Sequence, residues 1–257
     1  LGTPDEIIKN VLSNEFKRNL SLIGKAPYQS AFNYVSPYIS PLGIIDTIRR
    51  RAYDINGYPY FVYATLKEEE IRMKSLSEMI ENEPVNKTSF VFSNAQNHKN
   101  NPIQQLINIE SFEEDNTNDT LELLIKGAVQ NQYNVLNLST NKRNKQNRFN
   151  ITETLDAGPS KSIFNKDFTI EDKTLNDFDP NVVYKLVNHT TMDELGYHDE
   201  RDIEQHLNKV KSTSLVAALS KKKITIGTTG VFNFHENTVF IGEQINIMLP
   251  QFESETK

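Results

Sequence analysis

The sequence predicts an α+β fold from three observations. Two helices near the start are written with their caps. From residue 88 the apolar residues change from helical spacing to the alternation of strands. Residues 198–250 then return to one helix followed by two strands. None of these segments carries a catalytic motif, which points to a building part more than to a reaction.

Thr3-Pro4-Asp5-Glu6 opens the first helix. Thr3 suits the N-cap, Pro4 the first helical position, and Glu6 the return bond of a capping box. The spacing predicts a helix over 3–20, with Ile7, Ile8, Val11, Leu12 and Phe16 on one face. A connection over 21–39 follows, holding Pro27, Pro37 and several tyrosines. Ser40-Pro41 repeats the cap-then-proline signal, with Leu42, Ile45, Ile48 and Ala52 as the buried stripe. Asn56-Gly57 is expected to stop this helix. Arg49, Arg50 and Arg51 fall in its last turns, where the helix dipole favours cations.

Pro59–Thr65 reads as a strand of aromatic and β-branched residues. Lys67–Met73 reads as a turn or short strand. Ser75–Asn82 reads as a short helix with Leu76, Met79 and Ile80 inward, ended by Pro84. Residues 1–84 thus form a small α-rich unit with one or two strands.

Ser89–Ser93 and Gln105–Phe112 read as strands, and Glu113–Asp119 as a polar turn. Leu121–Ile125 and Tyr133–Leu138 continue the β pattern. Residues 139–150 read as a polar, basic loop, and 151–198 as short strands, such as Val182–Val187, between long turns. In the closing helix Asp199 is the expected N-cap, with Glu200 and Asp202 in the first turn. Ile203, Leu207, Val210 and Ala217 repeat at helical spacing, and Leu215, Val216 and Leu219 thicken its end. Lys223–Ile226 and Gly242–Leu249 then alternate as strands.

Composition narrows the function. A chain of 257 residues can hold one large domain or two ordinary ones. A mean hydropathy of −0.55 implies a polar, loop-rich surface, while 14 Phe and 10 Tyr supply apolar area for a core. No cysteine is present, which excludes disulfides, thiolate zinc sites and a thiol nucleophile. No apolar run approaches the length of a spanning helix, and no signal peptide is read. A net charge of −6 argues against a dedicated nucleic-acid binder. Sequons at Asn86, Asn150 and Asn188 are what chance supplies in an Asn-rich chain.

The chemistry-bearing residues do not converge in sequence. His98, His189, His198, His206 and His235 form no His-x-x-x-His pair of a metal-binding helix. The acids Asp177, Asp179, Asp193, Glu194, Asp199, Glu200 and Asp202 cluster, but solvated loops and caps account for them. Asn116–Asp119 lacks the spacing and central glycine of a calcium loop. No phosphate loop, nucleophile elbow or dinucleotide fingerprint occurs. Lys142, Arg143, Lys145 and Arg148 could touch an acidic partner or nucleic acid, although a solvated loop explains them as well. The arginine triplet reads as a favourable helix C-terminus. Tyr58, Tyr60 and Tyr63 read as a half-buried strand face.

Three runs taken in order carry a resemblance: T-P-D-E-I-I-K-N-V-L; I-S-P-L-G-I-I-D-T-I-R-R-R-A-Y-D-I-N-G-Y-P-Y-F-V-Y-A-T; and the closing helix with K-K-I-T-I-G and F-I-G-E-Q-I-N-I-M-L-P. Together they resemble the central baseplate hub proteins of T-even-like contractile-tailed bacteriophages. The resemblance implies an intermediate α-rich domain at 1–84. It implies an antiparallel tail-tube-like β-barrel split between 85–150 and 199–257, with a flanking helix and an insertion at 151–198. It also implies a partial chain, lacking the family's first tube barrel. Function follows as an expectation: a virion structural protein of the tail baseplate, made in the host cytoplasm, forming a homotrimeric ring. That ring would join tail-tube initiator proteins to the central spike, with DNA only as transient cargo and no cofactor or reaction. Leu121, Leu123, Ile125, Ile224, Ile226, Ile245 and Ile247 would then serve the subunit or tube interface, and Lys142, Arg143, Lys145 and Arg148 polar contacts to partners.

Two other classes compete. A carbohydrate- or wall-acting tail enzyme would draw an acidic pair from Asp177, Asp179 and Glu194. A host-binding adhesin would expose an aromatic patch. The lack of Trp weakens both, because Trp is a common sugar-stacking platform.

Overall fold

A computed structural model describes residues 2–28, 31–64, 70–85, 89–92, 108–116, 130–137, 142–143, 147–150, 153, 169–170, 172–174, 177, 181–187, 208, 211–217, 222–228 and 241–248. The fold is mixed α+β, and a four-stranded sheet in it curls as a half-barrel.

The first helix, α1 (Pro4–Val11), starts as its sequence requires. Glu6 Oε2 accepts the Thr3 N–H at 2.9 Å, closing one arm of the capping box. The chain then widens into a single π-helical turn over Leu12–Phe16, and Lys17 ends it in the left-handed region at φ 54°. That widening rotates Phe16 off the apolar face. Ile8 and Leu12 are buried, whereas Phe16 is exposed, contrary to the expected stripe. The connection after it is also not featureless, because Leu20–Ile23 forms strand β1.

Helix α2 (Pro41–Arg49) is capped by Ser40, whose Oγ accepts the Gly43 N–H at 3.2 Å. Ile45, Ile48 and Ala52 are buried as expected. Leu42 is 64% exposed, because the first turn of α2 overhangs the core together with Val35, Tyr38 and Ile39. The helix ends at Arg49, before Asn56-Gly57. Gly57 instead serves a separate turn, with φ +85° and its N–H donated to the Asp54 carbonyl.

Strands β2 (Tyr60–Ala64) and β3 (Ile71–Ser75) complete a three-stranded sheet in the order β1-β3-β2. β1 runs parallel to β3 and β2 antiparallel, so the unit holds one more strand than the sequence suggested. Helices α1 and α2 lie on this sheet around Ile8, Leu12, Ile45, Ile48, Tyr60 and Met73. Each such buried side chain contributes roughly 1.5–3 kcal/mol of transfer free energy. Helix α3 (Leu76–Glu81) leaves β3 directly, with Ser75 as cap. Its Leu76, Met79 and Ile80 are half-buried.

The remaining strands are β4 (Phe90–Phe92), β5 (Asn108–Asn116), β6 (Gln130–Asn137), β7 (Lys142–Arg143), β8 (Asn147–Asn150), β9 (Thr169–Ile170), β10 (Lys173–Thr174), β11 (Asn181–Val187), β12 (Lys222–Thr228) and β13 (Ile247–Met248). One sheet has the order β12-β5-β4-β13 and so joins 89–116 to 222–248. A second is built on β6, with β11 parallel on one side and β7 and β8 antiparallel on the other. β9 and β10 form a short antiparallel pair.

Three expectations need correction. The large sheets are mixed rather than antiparallel: β4 pairs parallel with both β5 and β13, and β6 with β11. The polar run after Phe112 is strand as far as Asn116, because its backbone pairs with β12 from Lys222 onward. The basic loop at 139–150 contains β7 and β8, both hydrogen-bonded to β6. Polarity misled in both cases, since side-chain charge does not prevent backbone pairing when the faces are solvated. The Val182–Val187 strand lies within β11. Among the described residues no helix is long and apolar enough to cross a membrane.

Candidate functional site

Two pieces of the C-terminal part of the chain return to the N-terminal unit. The first is helical over residues 211–217, with Leu215 fully buried and Asn208, seven residues earlier, also buried. It crosses the Asp54–Tyr58 turn. A Cβ on Gly57 would lie 3.2 Å from Lys211 Cδ and 3.3 Å from Asn208 Oδ1, so the left-handed glycine also permits this close approach. Asp54 holds the turn: its Oδ1 accepts the Asn56 and Tyr58 N–H groups at 2.9 Å each. Its Oδ2 accepts the Ser77 hydroxyl, and Ser75 Oγ lies 2.9 Å from Ser77 Oγ. With the Ser77 proton given to Asp54, Ser75 is the donor of that pair. Burial first, and then the Asp54 and Glu81 carboxylates, push the Tyr58 hydroxyl above its ordinary value.

The second piece is residues 242–248. Glu243 Oε2 meets the buried Lys74 Nζ at 2.9 Å, and the Gly242 carbonyl accepts from the same ammonium at 3.3 Å. Gln244 donates its side-chain N–H to the Ile80 carbonyl. Its own carbonyl accepts the Val85 N–H, and that of Asn246 the Phe90 N–H, at 2.9 Å each.

Between α2 and residues 211–217 lies an open cleft of about 810 Å³. One wall is Asp46, Thr47, Arg49, Arg50 and Arg51; the other is Ser212, Thr213, Val216 and Ala217, with Pro59 also lining it. Arg49 and Arg50 grip Asp46 at 2.7 and 2.8 Å, and Arg49 also lies 5.9 Å above the Phe61 ring. Arg51 lies 5.9 Å from the Tyr34 ring centroid. The Asp46 carboxyl is held below its ordinary range, chiefly by its hydrogen bond to Arg49. Among the described lining residues three cations face one carboxylate, a positive balance although the chain is acidic overall. Such a cleft can take anionic groups and a small apolar surface.

The expected interface residues are scattered differently. Ile224 and Ile226 share one face of β12, an edge strand that pairs with β5 alone among the described strands. Ile224 is 38% exposed and Ile226 half-buried. Ile247 is in β13, but Ile245 precedes it, because the strand covers only Ile247–Met248 where a strand over Gly242–Leu249 was expected. Lys142 and Arg143 are in β7 and Arg148 in β8. Leu121, Leu123, Ile125 and Lys145 lie outside the described residues, as do all five histidines, Asp179, Glu194 and the Ile203–Leu207–Val210 stripe. Asp177 is exposed.

Sequence reasoning missed the cleft. The arginine triplet was a visible signal, but its second wall is some 160 residues downstream. Lys74 and Glu243 gave no signal at all, since charged residues are ordinarily read as surface. No family model, no curated protein and no solved structure matches this chain.

Proposed function

We propose that the chain is a structural virion subunit of the baseplate-hub type, which closes with copies of itself into a trimeric ring between the tail tube and the central spike. In this reading residues 1–84 are the intermediate domain. Residues 85–150 and 199–257 are the halves of a tube-like barrel, and 151–198 is its insertion. The three sequence runs and their order support it. The observation that carries most weight is the curled four-stranded sheet, which ends on β12 with no further described strand beside it. An edge that is open among the described strands, with the exposed Ile224 on it, is a template for pairing with another chain. The overhanging Val35, Tyr38, Ile39 and Leu42 offer a second apolar contact surface.

The role is mechanical. A ring of rigid subunits matches the symmetry of a tube above to that of a spike below, and leaves a channel for DNA. No residue performs a reaction. Light scattering on the purified chain, alone and with tail-tube initiator and spike proteins, tests the reading. A trimer, or a complex with three copies of the chain, is expected. A stable monomer that binds neither tail component overturns it.

A further inference from the structure

We propose that the arginine cleft binds an organic phosphate monoester, a small molecule whose phosphoryl group sits between the two walls. The site goes beyond the hub reading and does not depend on it. Asp46 engages one Nη2 of Arg49 and one of Arg50, at 2.7 and 2.8 Å. A guanidinium carries several further N–H donors in a fixed fork, so most of theirs stay open. Among the described residues Arg51 enters no ion pair and donates no side-chain hydrogen bond; the Tyr34 ring lies 5.9 Å from it. The Asp46 carboxylate and the Phe61 and Tyr34 rings hold the three side chains in place. Less freedom is then lost when they close on an anion. The facing wall adds a donor. Ser212 lines the cleft, is 6% exposed, and its hydroxyl makes no hydrogen bond among the described residues. A polar group so deeply set and without a partner is the kind that a ligand satisfies.

Charge selects the ligand class. Three guanidiniums with one carboxylate leave two positive charges in excess among the described lining residues. A phosphate monoester carries about −1.5 to −2 at neutral pH, whereas a carboxylate or sulfonate carries half of that. Guanidiniums match phosphate oxygens in pairs, and the free oxygens of a monoester accept from Arg50, Arg51 and Ser212 together. Size and lining describe the rest of the molecule. The cleft, at about 810 Å³, falls within the roughly 300–1,000 Å³ of small-molecule sites and exceeds what bare phosphate fills. Pro59, Val216 and Ala217 give the organic part an apolar contact. The net charge of −6 opposes a long polyanion, which would have to extend from the cleft over an acidic molecule.

Isothermal titration calorimetry of the full chain tests this with phenyl phosphate, inorganic phosphate, benzenesulfonate and a phosphoserine peptide. Phenyl phosphate is expected to bind once per chain. It should bind at least about fivefold tighter than inorganic phosphate, which lacks the organic part, and than benzenesulfonate, which lacks the second charge. Arg50→Ala with Arg51→Ala is expected to weaken phenyl phosphate at least about tenfold, and Ser212→Ala about threefold. Val216→Glu leaves every donor intact but brings a carboxylate to the opposite wall, and is expected to abolish binding. Arg50, Arg51 and Val216 are exposed, and near-UV circular dichroism checks that each variant is folded. Four results overturn the proposal. One is a folded wild type that does not bind phenyl phosphate. Another is phenyl phosphate binding no tighter than inorganic phosphate, the mark of an adventitious anion patch. A third is unchanged affinity in any of the three variants. The last is a phosphoserine peptide binding tighter than phenyl phosphate, which assigns the cleft to a protein partner. Ring formation is read separately by light scattering, so the hub reading stands or falls apart from this site.

Discussion

Lys74 places an ammonium almost wholly out of water, its side chain 1% exposed. Burial of a charge is tolerated only when paired and hydrogen-bonded, and here Glu243 and the Gly242 carbonyl supply both. Lys74→Met keeps the length of the side chain but leaves the Glu243 carboxylate without that partner. The expected loss is about 3 kcal/mol of unfolding free energy, with most of it recovered in K74M/E243Q. Urea unfolding of the four members of the cycle measures this; a K74M protein as stable as wild type refutes it. Tyr60 gives a pH prediction. It is fully buried and donates to the Lys25 carbonyl at 2.8 Å. Burial first, then the Asp54, Glu78 and Asp5 carboxylates, raise its hydroxyl far above the ordinary 10.0. A group raised in the folded state stabilises fully below its unfolded value and loses that contribution as pH rises toward the folded one. Stability is therefore expected to fall from about pH 10 upward, and to fall less steeply in Tyr60→Phe. Melting temperatures between pH 8 and 11 would expose an error here as equal slopes for the two proteins.

At the scale of elements, local signals were reliable where one residue satisfies one backbone group. Thr3, Ser40 and Ser75 each begin a helix, and for Ser40 and Ser75 the hydroxyl accepts an N–H from the first turn. Ser40→Ala leaves the Gly43 N–H without that acceptor and is expected to cost about 1 kcal/mol, with Ser40→Asp largely neutral. Chemical denaturation of the two variants compares them, and an unaffected Ser40→Ala removes the cap from the account. Signals failed where distant pairing decides. The π turn after Val11 was invisible, because Leu12–Phe16 continues a good helical spacing. β5 was truncated in the reading at Phe112 since Glu113, Glu114 and Asp115 look like a turn, yet β12 pairs with all three. β7 and β8 were hidden by Lys, Arg and Asn for the same reason. Leu42 looked buried by its spacing from Ile45, but the core does not extend to the first turn of α2.

The molecule as a whole is held by returns of the chain to its start, and these were the least legible feature. The sequence suggested that 85–150 and 199–257 belong together, and one sheet does join β4 and β5 to β12 and β13. Nothing in the sequence indicated that 208–217 and 242–248 would also brace residues 54–90. That bracing is specific in its details. Gly242 has φ +74°, and a Cβ there would meet the Tyr63 ring and hydroxyl at 2.6 Å, so only glycine lets the segment lie this close. Beyond it, Glu243 neutralises Lys74, and the backbones of Gln244 and Asn246 take the Val85 and Phe90 amides. Gly242→Ala is expected to lift the segment, since both the backbone conformation and the space are lost. The readout is hydrogen exchange at the Val85 and Phe90 amides, which should quicken, with a smaller change at the Ile44 amide inside α2. A chain ending at residue 240 removes the 242–248 part of the brace and leaves Lys74 without its carboxylate. Its unfolding free energy is expected to fall by at least the roughly 3–5 kcal/mol of a broken buried pair. An unchanged melting curve for the shortened chain would mean that residues 1–85 support themselves and that the returning segment only rests on them.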